Sequence, residues 1–179
     1  MTSPARAFAE VQSISPYRIG IDPGVSGALA LIAPDDSLSD LIDMPTMLLT
    51  GKRQTVNAAE LGKVLRGWLM GSHSTIAILE QVSAMPGQGV SSMFSFGTSY
   101  GIVQGVMAAL QIPLHFVRPQ AWKQRAGIPP KSEKDLARTV AQRLYPAASL
   151  ERKKDIGRAD AILIARYGAE PFVRPGRLV

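Results

Sequence analysis

The sequence predicts an α/β domain with a mixed central sheet flanked by helices. Three observations predict it. The opening part holds short apolar runs, YRIGID, ALALIA and DLIDMP, separated by polar and Pro-Gly breaks, as a three-strand meander requires. Downstream, helix-period and strand-like segments alternate, the pattern of a sheet covered on both faces. With 46% hydrophobic residues and a mean hydropathy of +0.07, a chain of 179 residues has enough apolar surface for one folded core.

Residues 1–16 contain Pro4 and Pro16 and show no period, so they read as a flexible leader, with 17–179 as a single domain. Tyr17 to Asp22 reads as a buried strand, Pro23 to Gly27 as a turn, and Ala28 to Ala33 as the hairpin partner; Asp40 to Pro45 continues the meander. Asn57 is placed to cap a helix through Leu69, on which Leu61, Val64, Leu65 and Trp68 share a face. TIAILEQV is the next strand. From Val82 to Thr98, glycines, a proline and serines suggest a loop fitted to a substrate. Thr98 to Gln111 reads as an apolar helix, Ile112 to Val117 as a strand, and Pro119 to Arg125 as a short helix stopped near Gly127. Ser132 and Asp135 signal the start of a helix through Leu144, and Arg158 to Tyr167 reads as the last helix.

Charge divides unevenly. Residues 1–117 carry six basic and eight acidic side chains, whereas residues 118–179 carry fourteen basic and six acidic, within an overall +6. This favours a polyanionic partner contacted mainly by the C-terminal third; a basic surface serving solubility alone is the competing explanation. Cysteine is absent, which removes disulfides and thiolate metal sites and is compatible with a reducing cytoplasm. Neither a signal-like leader nor an apolar span of bilayer length is predicted, so no membrane partner is expected.

The acids most worth attention are Asp22, Glu80 and Asp160. Asp22 ends an apolar strand at a Pro-Gly turn, where a carboxylate must be solvated, paired or coordinated. Gly24 and Gly27 leave room beside it for a phosphate or metal, although an Asp that only stabilises the turn would look the same. Glu80 ends the apolar run IAIL, and a strand-end salt bridge competes with a site role. Asp160 lies near the start of a helix, where the dipole alone could explain it. Asp155 is a candidate fourth carboxylate, or balances Lys153, Lys154 and Arg158. Such acids suit two Mg²⁺ ions about 4 Å apart, one activating water and one stabilising a departing 3′ oxygen. His73 is expected to be exposed, and His115 to be a structural strand residue.

Lys123, Arg125, Lys131, Lys134, Lys153, Lys154 and Arg158 are candidate DNA-phosphate contacts; each alone is better explained as a solvated charge, and together with the carboxylates they favour DNA binding. Lys153 or Lys154 could also stabilise charge on a scissile phosphate and so counts as a catalytic candidate.

Taken in order, RIGIDPGVSGALALI, IAILEQV, SFGTSYGIVQGVMAAL, FVRPQAWKQRAG and KKDIGRADAILIA resemble the RuvC-type Holliday junction resolvases, above all their bacteriophage and prophage relatives, from about Tyr17 to Gly168. The resemblance implies an RNase H-like fold and a homodimeric nuclease that uses Mg²⁺ or Mn²⁺ to nick two opposed strands of a four-way DNA junction. It also implies that Asp22 is the first-strand carboxylate, Glu80 the central-strand carboxylate and Asp160 the final-helix carboxylate. The chain departs from that pattern at Gly157, where a second helix acid would stand, so either Asp155 substitutes or three acids suffice. Met85, Phe94 and Phe96 become candidates for covering opened bases, with core packing an equal alternative for the two phenylalanines. A residual apolar stripe on the helix from Thr98 would support the dimer.

Other classes remain in view. A DNA-binding protein without cleavage, and a nuclease acting on RNA:DNA hybrids or other branched DNA, share most of these features. An actin-like ATPase is disfavoured, because 179 residues leave no room for the second domain that closes over nucleotide.

Overall fold

Alternation along the strands decides the architecture. In the computed structural model, which describes residues 15–49, 51, 53–71, 74–83, 87, 89–133 and 135–171, β1 (Tyr17–Asp22), β2 (Ala28–Ile32) and β3 (Leu38–Asp43) form an antiparallel meander. A separate two-stranded ladder, β4 (Thr46–Leu48) and β5 (Gln54–Val56), precedes α1 (Ala58–Leu69) and β6 (Thr75–Glu80). Then come α2 (Val90–Ala109), β7 (Leu114–Val117), α3 (Pro119–Arg125), α4 (Asp135–Leu144) and α5 (Ile156–Leu163). Most of the leader expected over residues 1–16, together with His73, Met85 and Lys134, lies outside the described residues.

The main sheet runs β3-β2-β1-β6-β7, with β6 parallel to both β1 and β7, so it is mixed as expected. Successive side chains point to opposite faces. Ile19, Ile21, Ala77 and Leu79 therefore pack with Leu61 and Leu65 of α1 and Val103 and Met107 of α2. Ala28, Ala30, Ile78 and Val117 pack instead with Trp122 of α3, Ala137 and Ala141 of α4, and Ala159 to Leu163 of α5. Truncating a fully buried Leu79 to Ala would cost about 2–5 kcal/mol.

The α5 face of the sheet is built from small residues so that backbone can approach backbone. A Cβ on Gly20 would fall 2.1 Å from the Ala161 carbonyl oxygen and 2.4 Å from the Ala165 amide nitrogen. Only glycine allows α5 to cross β1 this closely, and that crossing brings Asp160 to the sheet edge.

The sequence reading needs three corrections. The segment before Thr98 is not all loop: α2 starts eight residues earlier, at Val90. Its first turns leave Val90 80% and Phe94 76% exposed, so they extend a helix anchored by Ser99, Val103 and Met107 without burying a stripe of their own. The β4–β5 ladder was also missed, since three-residue strands are too short to show a period. Finally, α5 begins at Ile156 instead of Arg158, follows a 3₁₀ turn at Lys153–Asp155, and passes into a π-helical turn at Ile164–Gly168. Among the described residues no helix is long and apolar enough to cross a membrane.

Candidate active site

Asp22 and Glu80 are the last residues of neighbouring parallel strands, and the register pairing Ile21 with Leu79 leaves them side by side at one sheet edge. Strand alternation turns both toward α5, as it does Gly20 and Ile78. Asp160 reaches the same edge from the second turn of α5. The structure thus brings together the three acids that the sequence singled out.

Their electrostatics are those of gathered, under-compensated carboxylates. Burial, then repulsion from Glu80, raises Asp22 to about 7 against the pull of the Gly24 amide and Lys123. Burial, then repulsion from Asp22, likewise raises Asp160 to about 7, with Lys123 opposing. Glu80 is also pushed up by burial, opposed by a hydrogen bond from Trp122 Nε1 at 2.9 Å and by Lys123. Lys123, whose ammonium lies 5.1 Å from the Trp122 ring centroid, is the cation that acts on all three. Asp160 Oδ1 is buried without a hydrogen-bond partner, a state that calls for an explanation in any native fold.

These features fit a divalent cation. Carboxylate oxygens are the hard donors Mg²⁺ prefers, and the orphan oxygen of Asp160 offers a lone pair to it. The side chains are neighbours without being a finished coordination sphere, because no group of three His, Cys, Asp or Glu among the described residues is drawn together tightly enough to hold an ion. Asp22, Glu80 and Asp160 are the residues that would supply its oxygen ligands if drawn closer.

Asp155 is placed differently. Its carboxylate accepts from the Arg152 amide at 2.8 Å and from Arg152 Nε at 2.9 Å, and these bonds hold it below the usual carboxylate range. Arg158 is engaged by Asp43, and Arg125 by the Tyr167 carbonyl and Glu170. Lys153 and Lys154 are exposed and act on Asp135 and Asp43 instead of on the three gathered acids. Of the basic residues expected at the site, Lys123 and Lys131 do share a cleft with Asp160, of about 1050 Å³. Phe94 and Phe96 are both exposed on α2, which removes core packing as their explanation.

Gly157 shows why a second helix acid is missing. A Cβ there would lie 2.7 Å from the Ser26 carbonyl oxygen, 3.0 Å from Asp22 Oδ2 and 3.1 Å from Gly27 Cα. The turn after Asp22 occupies the space that a longer side chain would need. Trp122 was not foreseen as part of the site, although a buried indole N–H needs a partner and sits next to the sequence candidate Lys123.

No family model matches the sequence, and no curated protein does. Solved structures match by fold. T. thermophilus RuvC in complex with Holliday junction substrate is 16% identical with a TM-score of 0.61, covering 86% of this chain and 92% of that one. A second Thermus thermophilus RuvC structure is also 16% identical, with a TM-score of 0.52 and 86% and 93% coverage. The yeast mitochondrial Holliday junction resolvase Ydc2 is 16% identical, with a TM-score of 0.50 and 88% and 78% coverage. The fold is therefore RNase H-like α/β. Within that class, it is the arrangement shared with RuvC and Ydc2.

Proposed function

We propose that this chain is a Mg²⁺- or Mn²⁺-dependent endodeoxyribonuclease that resolves four-way DNA junctions by paired symmetric nicks. The observation that carries the reading is the convergence of Asp22, Glu80 and Asp160 on one sheet edge, with both aspartates raised to about 7. Bound divalent ions would supply charge neutralisation and activation of the attacking water. The chain's own part is positional. Asp22 and Glu80 are fixed by the register of two parallel strands, Trp122 orients Glu80, and Asp160 presents an unpartnered oxygen. Lys123 brings positive charge to the same edge, where it would steady a phosphate as its charge grows.

Paired incisions on opposed strands call for two equivalent sites, so the active species is a homodimer with twofold symmetry. The partner is branched DNA held through phosphate contacts, with Lys123 and Lys131 placed beside Asp160. By its motifs the chain groups with bacteriophage and prophage relatives acting in a bacterial cytoplasm.

A gel assay comparing a mobile four-way junction, a linear duplex and an RNA:DNA hybrid, with and without EDTA, tests this. Metal-dependent cutting of the junction in preference to the others is expected. Preferential cutting of the hybrid would reassign the substrate, and no metal-dependent cutting of any of them would remove the nuclease reading.

A further inference from the structure

The acid edge has a second cleft, which the chemistry above leaves unused. It measures about 410 Å³ and lies between Val25 in the turn after Asp22, Arg53 just before β5, and a serine-rich face of α2. Only that turn separates it from the catalytic candidates: the Phe96 ring on its wall lies 4.0 Å from where a Cβ on Gly24 would stand, and the Gly24 amide bonds Asp22. Asp160, Lys123 and Lys131 line the other cleft.

Two independent features say what the second cleft would take. The first is Ser99, which is 1% exposed and whose hydroxyl has no hydrogen-bond partner. A helical serine commonly returns its hydroxyl to the carbonyl one turn back; Ser99 does not, and a buried unpaired hydroxyl costs about 1–3 kcal/mol. Ser92, Ser95 and Ser99 recur at helical spacing on the face of α2 that lines the cleft, and a hydroxyl rotor can turn to meet an acceptor. The second is charge. Arg53 lines the cleft with no ion-pair partner among the described residues, and no carboxylate lines it. The helix end nearest to it starts at Gly89 with no side-chain cap and no acidic residue in its first turn among the described residues, which leaves its positive end to favour an anion. Donors and one guanidinium without acid suit an anion and disfavour a cation.

We propose that this cleft is a second phosphate subsite, which holds a phosphodiester of the nucleic-acid strand adjoining the one presented to Asp22. The inference rests on the nuclease reading and extends it. One strand is placed on the Asp160–Lys123 side of the edge and its neighbour on the Arg53–Ser99 side, with Val25 and Phe96 against sugar or base.

The test uses the full chain and a fluorescein-labelled four-way DNA junction, with Ca²⁺ replacing Mg²⁺, followed by anisotropy across a salt series. Junctions carrying one methylphosphonate at successive positions around the branch provide the second arm. Arg53→Gln should weaken binding about threefold to tenfold and make the log-log salt dependence shallower by about one unit. One methylphosphonate position should weaken the wild type while leaving Arg53→Gln unaffected. Ser99→Ala should raise Tm above the wild type, since it removes a buried hydroxyl that has no internal partner, and weaken binding about twofold to fivefold. If the wild type binds and cuts the junction while Arg53→Gln shows unchanged affinity, slope and methylphosphonate profile, the subsite is lost and the nuclease stands. A wild type that binds no junction overturns both. Should Ser99→Ala fail to fold, Arg53→Gln, an exposed position, decides alone.

Discussion

Asp155 and Asp160 stand five residues apart on continuous helical backbone, yet they occupy opposite environments. Asp155 belongs to a paired cluster. Arg152 bonds it through amide and guanidinium, Arg152 and Arg158 both reach Asp43, and Asp155 and Asp43 are held below the usual carboxylate range. Asp160 belongs to a gathered cluster with Asp22 and Glu80, where Lys123, the Gly24 amide and the Trp122 indole oppose burial and repulsion and the carboxyls are still pushed up. An arginine that brackets an acid uses its oxygens to fasten the chain. Acids crowded together with one lysine keep their oxygens for something else and destabilise the fold in the meantime.

The largest effects should come from the gathered cluster. Asp22→Asn and Asp160→Asn should each lower junction cleavage at least about 100-fold while leaving junction affinity within a few-fold, measured by single-turnover assays beside anisotropy. The same variants should be more stable than the wild type in metal-free buffer at pH 8. A carboxyl whose folded value lies above its unfolded value holds more protons when folded between the two. Stability therefore falls as pH rises from 3.8 to about 7 and stays reduced above that. Each amide should remove that loss, raising Tm at pH 8 by roughly 3–8 °C and by nothing near pH 3.5. Equal melting temperatures at both pH values would show that these acids are as well solvated as any surface pair.

Gly157→Asp sharpens the comparison from between the two clusters. It adds a fourth acid, but against the Ser26 carbonyl and Asp22. Stability should drop by about 2–3 kcal/mol and cleavage should fall instead of rising, which denaturant titration and the gel assay would show. A folded, more active variant would mean that the turn after Asp22 yields readily.

Asp155→Asn should reverse the pattern of Asp160→Asn, with cleavage within about threefold of wild type and stability at pH 7 lower by about 1–2 kcal/mol. Its folded value is depressed, so its contribution is present above the unfolded value of 3.8 and is lost as pH falls through the lower folded one. The gap between variant and wild type should close in that acid range in a Tm-against-pH series. Loss of cleavage comparable to that of Asp160→Asn would return Asp155 to the site.

Trp122→Phe should lower cleavage less than the loss of Asp22 or Asp160 does, because it touches the cluster only through Glu80. The smaller ring leaves part of the indole's space empty and Glu80 loses its donor, for about 2–3 kcal/mol of stability and a severalfold drop in cleavage. Unchanged cleavage would show that the strand alone orients Glu80.

The sequence by itself determined the order of the main-sheet strands and the helices, and it singled out the three acids, because a carboxylate at the end of an apolar strand conflicts with local patterning and so stands out: Asp22 after RIGI and Glu80 after IAIL are both of this kind. Asn57 and Gly127 likewise marked helix ends through local chemistry that needs no tertiary contact, a side-chain cap on the Glu60 amide and a φ of +71°. The tertiary structure alone decided which charges meet. Lys123, Lys153 and Lys154 are alike in sequence, yet only the packing of α3 against the sheet edge places Lys123 among the acids, while the turn into α5 leaves the other two beside Asp135 and Asp43. The same holds for Trp122 and Glu80, 42 residues apart, and for Gly157 against the turn after Asp22. Local pattern records what each segment must bury or cap; the Coulomb and steric terms between segments depend on distances that exist only once α5 has crossed β1 at Gly20.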